Sequence, residues 1–286
     1  GNHCYIRAKT VEKEKIAYLE LLAGKKAKKA TAYDTAYIYF KIGLTLLEES
    51  SFTSQYELAF SLTIEAAETA YLSGDFDGVE SYTEILLQNA LTLPDKIKAY
   101  EIKILAYVSQ NRLTDAITTG LMAFGLLGVH FPKNPTKLHI FMELLKIKAF
   151  LRGKDENDLL TAPVAVDATS IAINGVLFKM GLATYKASPN LCLLLILKGI
   201  ETGNTTIGYM TYGMLLCRLG DINSGYKFGE LSLQLLEKSN HKELTPKMIV
   251  FFNTFIIHHK NPLKNSLPHL LEGYLIGLET GDINYA

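Results

Sequence analysis

Four lysines crowd one short stretch, Lys25, Lys26, Lys28 and Lys29, and two histidines stand side by side at His258 and His259. These residue types invite a chemical reading. Adjacent histidines on an α-helix point about 100° apart and do not share a metal ion, so the pair reads as solvated or half-buried imidazole. His130, His139, His241 and His269 are isolated in sequence and read as surface or helix-capping residues. Cys217 lies beside Arg218. A neighbouring cation can lower a thiol pKa, but a small residue within a helix serves packing, and packing is the preferred reading. With Glu12, Glu14 and Glu20 nearby, the lysine run reads as a solvated face, or else a partner-docking strip. No Gly-x-x-x-x-Gly-Lys-Ser/Thr phosphate loop occurs, and no Gly-x-Gly-x-x-Gly turn after a strand. No catalytic residue, cofactor or metal is assigned. An enzyme built on helices is disfavoured, because an active site needs a convergent polar cluster.

Composition narrows the remaining classes. Of 286 residues 48% are hydrophobic, enough for one large or two ordinary cores. The 29 basic and 29 acidic side chains cancel, which removes the electrostatic case for nucleic acid or an anionic membrane as main partner. Three scattered cysteines, Cys4, Cys192 and Cys217, form no disulfide framework or metal spacing and suit a reducing cytoplasm. The apolar runs 191–197 and 249–257 fall far short of the roughly 20 residues a spanning helix needs. They read as buried helix faces, and no membrane insertion is expected.

The elements that position these residues are helices. The stretch AYDTAYIYFKIGLTLLEE puts Ala36, Phe40, Gly43 and Leu47 on one face at spacings of three and four. Proline marks helix starts: Ser188-Pro189 and Thr245-Pro246 read as an N-cap followed by proline at the first helical position, and Pro94, Pro135 and Pro268 stand where further helices open. This rule gives about fourteen helices joined by short turns. Residues 153–167, GKDENDLLTAPVAVD, read as an irregular connection.

The helices repeat. TIEAAETAYLSGDFDGVESYTEILLQNAL sets Ala66, Ala67 and Ala70 before a turn at Gly74-Asp75-Phe76 and a second amphipathic helix. YEIKILAYVSQNRLTDAITTGLMAFGLL has Asn111 at its turn, then Leu113, Ala116, Gly120 and Ala123. YMTYGMLLCRLGDINSGYKFGELSLQLLEK carries Gly213, Gly220, Ile222, Gly225, Gly229 and Ser232. Near the N-terminus stand Gly24, Ala27, Tyr33, Ala36, Phe40 and Gly43. Turn positions Thr31, Gly74 and Asn111 are 43 and 37 residues apart. The words Gly-Ile-Glu-Thr-Gly-Asn at 199–204 return as Gly-Leu-Glu-Thr-Gly-Asp at 277–282. Glu279-Thr280-Gly281-Asp282 reads as a helix end, a turn and the N-cap of another helix, and the expectation is a piece of a longer repeat protein.

This pattern resembles the tetratricopeptide repeat (TPR), a helix pair with small residues where its two helices cross and a large apolar residue after the turn. Two helices approach closely only where side chains are small, and each pair leaves an apolar face for the next. The TPR period is about 34 residues, so the array is divergent. It covers most of the chain except about 130–190, and Trp is absent. The fold class expected is all-α, a single right-handed TPR-like superhelix of antiparallel helix pairs, an α-solenoid over residues 1–286.

Read together, AGKKAKKATAYDTAYIYFKIGLTLL, YELAFSLTIEAAETAYLSGDFDGVE, KAYEIKILAYVSQNRLTDAITTGLMAFGLLGVHFP and LGDINSGYKFGELSLQLLEK resemble the helical middle region of very large bacterial signalling proteins. In that family a serine/threonine-kinase-like domain and an AAA-type predicted ATPase come first. GAF or PAS sensors and often a histidine kinase follow. The resemblance implies a non-catalytic protein-interaction and signal-relay module, with ATP binding in other domains. Carried over by TPR register, groove-facing candidates are Glu68 and Tyr71, then Lys98, Glu101 and Leu105, then Met210, Met214, Cys217 and Arg218. Mixed charge beside Tyr and Met suits recognition of a protein, a peptide or neighbouring domains of the same polypeptide. The competing expectation is a free-standing TPR adaptor with a peptide in its groove.

Overall fold

The computed structural model describes residues 2–48, 50–161, 168–202, 206–239 and 244–280. Every regular element among them is helical. The helices gather into two compact units, Gly1–Gly128 and Val129–Ala286.

The first unit contains α1 (Asn2–Lys29), α2 (Tyr33–Thr45), the single turn α3 (Ser51–Ser54), α4 (Tyr56–Leu72), α5 (Phe76–Asn89), α6 (Leu93–Ser109) and α7 (Leu113–Leu126). Its strongest partnerships are α1 with α2, α4 with α5 and α6 with α7. Three helix pairs result, and the four turns named from sequence take the conformation that a tight reversal requires. Gly74 (φ 78°) and Gly220 (φ 91°) are left-handed, as are Thr31 (φ 57°) and Asn111 (φ 58°). Glycine adopts that region without cost, whereas a β-branched threonine does not. After each turn the chain re-enters a helix. Asp75 caps α5, its Oδ1 accepting from Gly78 N at 2.9 Å. Phe76, Val79 and Leu86 then carry α5 into the core beneath α4 and α6.

Small residues let the pairs close. A Cβ added at Gly24 would lie 2.7 Å from Cζ of Phe40, so the α1–α2 crossing depends on that glycine. Ala36, Phe40 and Gly43 form the buried face of α2, and Leu47 packs against the same core. Neighbouring pairs are joined by α2 on α4, α5 on α6, and contacts of α4 with α1 and α6.

The second unit contains α8 (Lys137–Leu151), α9 (Glu156–Thr161), α10 (Ala168–Ala187), α11 (Pro189–Glu201), α12 (Thr206–Arg218), α13 (Ile222–Ser239), α14 (Thr245–Phe255) and α15 (Leu267–Thr280), with 3-10 turns at Ile257–His259 and Leu263–Ser266. Helix α11 packs on α8, α10 and α12; α12 packs closely on α13 and also meets α14; α14 packs on α15. Leu194, Leu197, Tyr212, Leu216 and Leu231 share one core with Ile140 and Ile147 of α8.

Several expectations are corrected here. Residues 153–167 are not wholly irregular, because Glu156–Thr161 form α9. Asp155 and Asp158 cap it reciprocally, each backbone N–H donating to the other's carboxylate at 2.9 and 2.8 Å, and Leu159 is buried. An Asp-x-x-Asp capping box opens a helix in the same way as Ser-x-x-Glu. Residues 162–167 lie outside the described residues. Proline stands in the first turn of α6, α11 and α14 as expected, but Ser188 makes no side-chain cap bond. Thr245 is already helical, with Leu244 at the cap position. The turn read at Gly281-Asp282, its echo at Gly203-Asn204, and His241 lie outside the described residues.

Candidate partner-binding surface

The groove candidates fall on three first helices of pairs, α4, α6 and α12, and they have different surroundings. Glu68 and Tyr71 lie one turn apart on α4; Lys98, Glu101 and Leu105 share one face of α6, and α4 and α6 touch. The structure thus brings five of the named residues onto two neighbouring helices. Lys98 is exposed, its Nζ 3.8 Å from Asp95 Oδ1 and 5.8 Å from the centre of the Phe60 ring. Glu101 and Leu105 are half-buried.

Glu68 is already engaged. Lys28 of α1 donates to Glu68 and, at 2.7 Å, to Glu65, while Lys25 stands 3.7 Å from Glu65. The lysine run is therefore not simply a solvated face: Lys28 is half-buried and ties α1 to α4, while Lys26 and Lys29 are exposed. Burial works against charge on Lys28, but Glu68 and Glu65 outweigh it and raise its pKa. Tyr71 also faces a neighbour, accepting at 3.4 Å from the Ser109 hydroxyl of α6.

Met210 departs from its groove assignment. It is 0% exposed, within a core that includes Leu236, Met248, Phe252 and Ile256. This side chain packs instead against α13 and α14. Met214 packs half-buried against the same core, and Arg218 is exposed at the end of α12. Cys217 is buried, and burial pushes its thiol pKa up, with Asp221 adding to the rise. Arg218 does not activate it, and packing is the role its surroundings give it.

The histidines resolve in the same way. His258 and His259 do not diverge as on an α-helix; they lie in a 3-10 turn with ring centres 4.0 Å apart. No group of three His, Cys, Asp or Glu able to hold a metal occurs among the described residues. His139 is a capping residue, its Nδ1 accepting from Thr136 N at 3.1 Å at the start of α8.

Two features escaped the sequence. One is a set of polar links between successive pairs. Tyr37 Oη donates to Asp75 at 2.8 Å, Tyr56 Oη to Asp95 at 2.8 Å, and Lys103 pairs with Glu80 at 2.8 Å. The two Tyr–Asp links span 38 and 39 residues, about one repeat, and that recurrence is the signal that could have revealed them. Burial and Glu80 push the Tyr107 hydroxyl up to about 12. The other is a cleft of about 450 Å³ where α13, α14 and α15 meet. Leu236, Ile249 and Phe252 line it, with Glu237, His269 and Glu272 at its polar positions. Asn253 also lines it, with an Oδ1 that is enclosed by protein and has no hydrogen-bond partner. Its residues come from three helices with no shared local pattern.

Comparison with known proteins adds one likeness. The chain is 22% identical over 312 aligned positions to the hybrid signal transduction histidine kinase G of Dictyostelium discoideum. The match covers 96% of this chain but only 9% of that protein. The relative comes from Dictyostelium, not from a bacterium. No family model matches the chain. No helix among the described residues is long and apolar enough to cross a membrane.

Proposed function

We propose that the chain is a TPR-like α-solenoid acting as a non-catalytic protein-interaction and signal-relay module within a larger sensor kinase or signalling ATPase. The observation that carries this reading is the match itself: nearly the whole chain aligns with a small fraction of a protein named as a signal transduction histidine kinase. A module that recurs inside a much longer signalling protein fits a linking role. The fold agrees with that role. Paired helices meet through small residues at Gly24, Gly213 and Gly225, and polar links at repeat-length spacing tie one pair to the next. Each pair contacts mainly its neighbours, so small rotations between pairs add along the array and carry strain from a sensor to an output domain. Exposed Lys98 beside half-buried Glu101 and Leu105 on α6 supplies a charged and apolar strip for a neighbouring domain or peptide.

The test is the size of the native polypeptide, read by immunoblot of source cells with an antibody raised against residues 11–128. A band far above 31.8 kDa is the expected result. A band near that mass defeats the module reading and turns the search to a diffusible partner of a free-standing adaptor.

A further inference from the structure

Helix α8 is apolar on two opposite sides, and one of them is bare. Ile140 and Ile147 enter a core with Leu194 and Leu197 of α11, and Leu144 and Leu151 pack against it. On the far side Leu138, Phe141, Met142 and Leu145 are 67, 56, 51 and 47% exposed. They stand at i, i+3, i+4 and i+7, the spacing of a helix–helix contact face. A helix that is apolar all round is ordinarily covered all round.

The charges beside this face have one sign and lie free on one edge. Helix α8 and its C-cap hold Lys137, Lys146, Lys148 and Arg152 against Glu143 alone, in a chain whose charges cancel. Lys146 donates to Glu143 at 2.6 Å, which neutralises the second edge. Lys137, Lys148 and Arg152 are exposed and form no ion pair among the described residues. Eleven and four residues separate them, so they follow one edge of the stripe over about four turns. Lys137 sits in the first turn of α8, where the helix dipole disfavours a cation. Stability of the helix therefore does not account for the row.

We propose that this face of α8 docks an acidic amphipathic helix of a separate partner protein. The apolar side chains seat the partner's apolar stripe, and Lys137, Lys148 and Arg152 receive a row of its Asp or Glu side chains. Charge complementarity names the partner's sign, and the one-sided row names its form. A helix lying along α8 presents carboxylates to one edge, whereas an anionic membrane plane meets both edges alike and would also approach exposed Asp155 and Asp158 just past the helix. The cations further mark the face as reversibly covered. A face buried for good, such as that of α11 with Leu191, Leu194 and Leu195, carries no such row. Free charges beside a bare stripe keep it soluble and steer an acidic partner onto it. This docking does not depend on the length of the native polypeptide, so the immunoblot and the binding test fail separately.

The test uses the whole chain and a fluorescent, stapled helical peptide about five turns long, with leucines at i, i+3, i+4 and i+7 and glutamates along one edge. Fluorescence anisotropy should show binding that weakens between about 0.05 and 0.5 M salt. A peptide with lysine in place of each glutamate should bind at least about tenfold more weakly. The double variant Lys148→Glu with Arg152→Glu should lose about tenfold in affinity for the acidic peptide, and Met142→Gln should also weaken it. Lys148→Arg should retain binding, as should Lys26→Glu with Lys29→Glu on α1. All these positions are exposed, and a melt equal to that of the parent confirms folding. Equal binding of the two peptides, or no effect of the α8 variants, overturns the proposal. So does capture by phosphatidylserine vesicles in preference to the acidic peptide, which would assign the face to a membrane surface. A concentration-dependent dimer abolished by Met142→Gln would assign it to a second copy and also overturns the proposal.

Discussion

The Tyr37 hydroxyl of α2 donates a 2.8 Å hydrogen bond to Oδ2 of Asp75, while the other oxygen of that carboxylate caps α5 by accepting from Gly78 N. One side chain thus closes the turn within a pair and holds the preceding pair in register. The Tyr37 ring also meets Tyr82 of α5 edge-on, with centroids 6.2 Å apart. Tyr37→Phe keeps the ring contact and removes only the bond. It should lower stability by about 1 kcal/mol, read as a fall in the urea midpoint at constant slope. An unchanged midpoint would mean that water replaces the hydroxyl without loss.

Asp75 also sets a pH dependence. The Gly78 N–H and then the Tyr37 hydroxyl hold its carboxyl below the usual aspartate value, against a smaller opposing effect of burial. A depressed carboxylate contributes stability that is full above its unfolded value, near 3.9, and is lost as pH falls through the lower folded value. Asp75→Asn should therefore narrow the stability gap between pH 6 and pH 3. Parallel acid-unfolding curves for variant and parent would count against this assignment.

Glycines divide into those that need to be glycine and those that do not. A Cβ at Gly225 would lie 2.7 Å from Gly213 O and 2.9 Å from Cys217 N, both backbone atoms of α12. Backbone cannot step aside without parting the helices, so Gly225→Ala should cost about 1–3 kcal/mol. Gly181 lies within α10 with no atom within 4 Å of an added Cβ. Gly181→Ala should instead gain about 0.5–1 kcal/mol through helix propensity. Thermal unfolding of the two variants should shift in opposite directions; an unchanged or raised transition for Gly225→Ala would show that the α12–α13 crossing tolerates a methyl group.

Lys28 joins α1 to α4 through two carboxylates. Lys28→Met would leave Glu65 and Glu68 facing each other and should cost about 1 kcal/mol at neutral pH. Because its folded pKa is raised, the contribution of Lys28 is fully present below the ordinary lysine value and is lost as pH rises through the folded one. Denaturation of parent and variant should converge in strong alkali. The same pairing bears on recognition: Glu68→Gln should change stability more than partner capture. The reverse result would return Glu68 to the binding surface, with Lys98.

The sequence by itself determined the helical class, the turns and the pairing. Thr31, Gly74, Asn111 and Gly220 were each readable as reversals because a helix ends where one residue turns left-handed and the next pattern of small and apolar residues begins. Such signals are local, carried within a helix and its turn. The short helix at Glu156–Thr161 was missed because reciprocal Asp155–Asp158 capping is a weaker mark than proline or glycine. Tertiary structure alone decided which face each residue presents. Met210 went to the core and Glu68 to Lys28 because every first helix has several neighbours, and which neighbour covers which stripe depends on packing between elements far apart in the chain. The cleft around Asn253 and the bare stripe of α8 arise in the same way. A helix pattern tells that a face is apolar, but only the positions of the other helices tell whether anything lies on it.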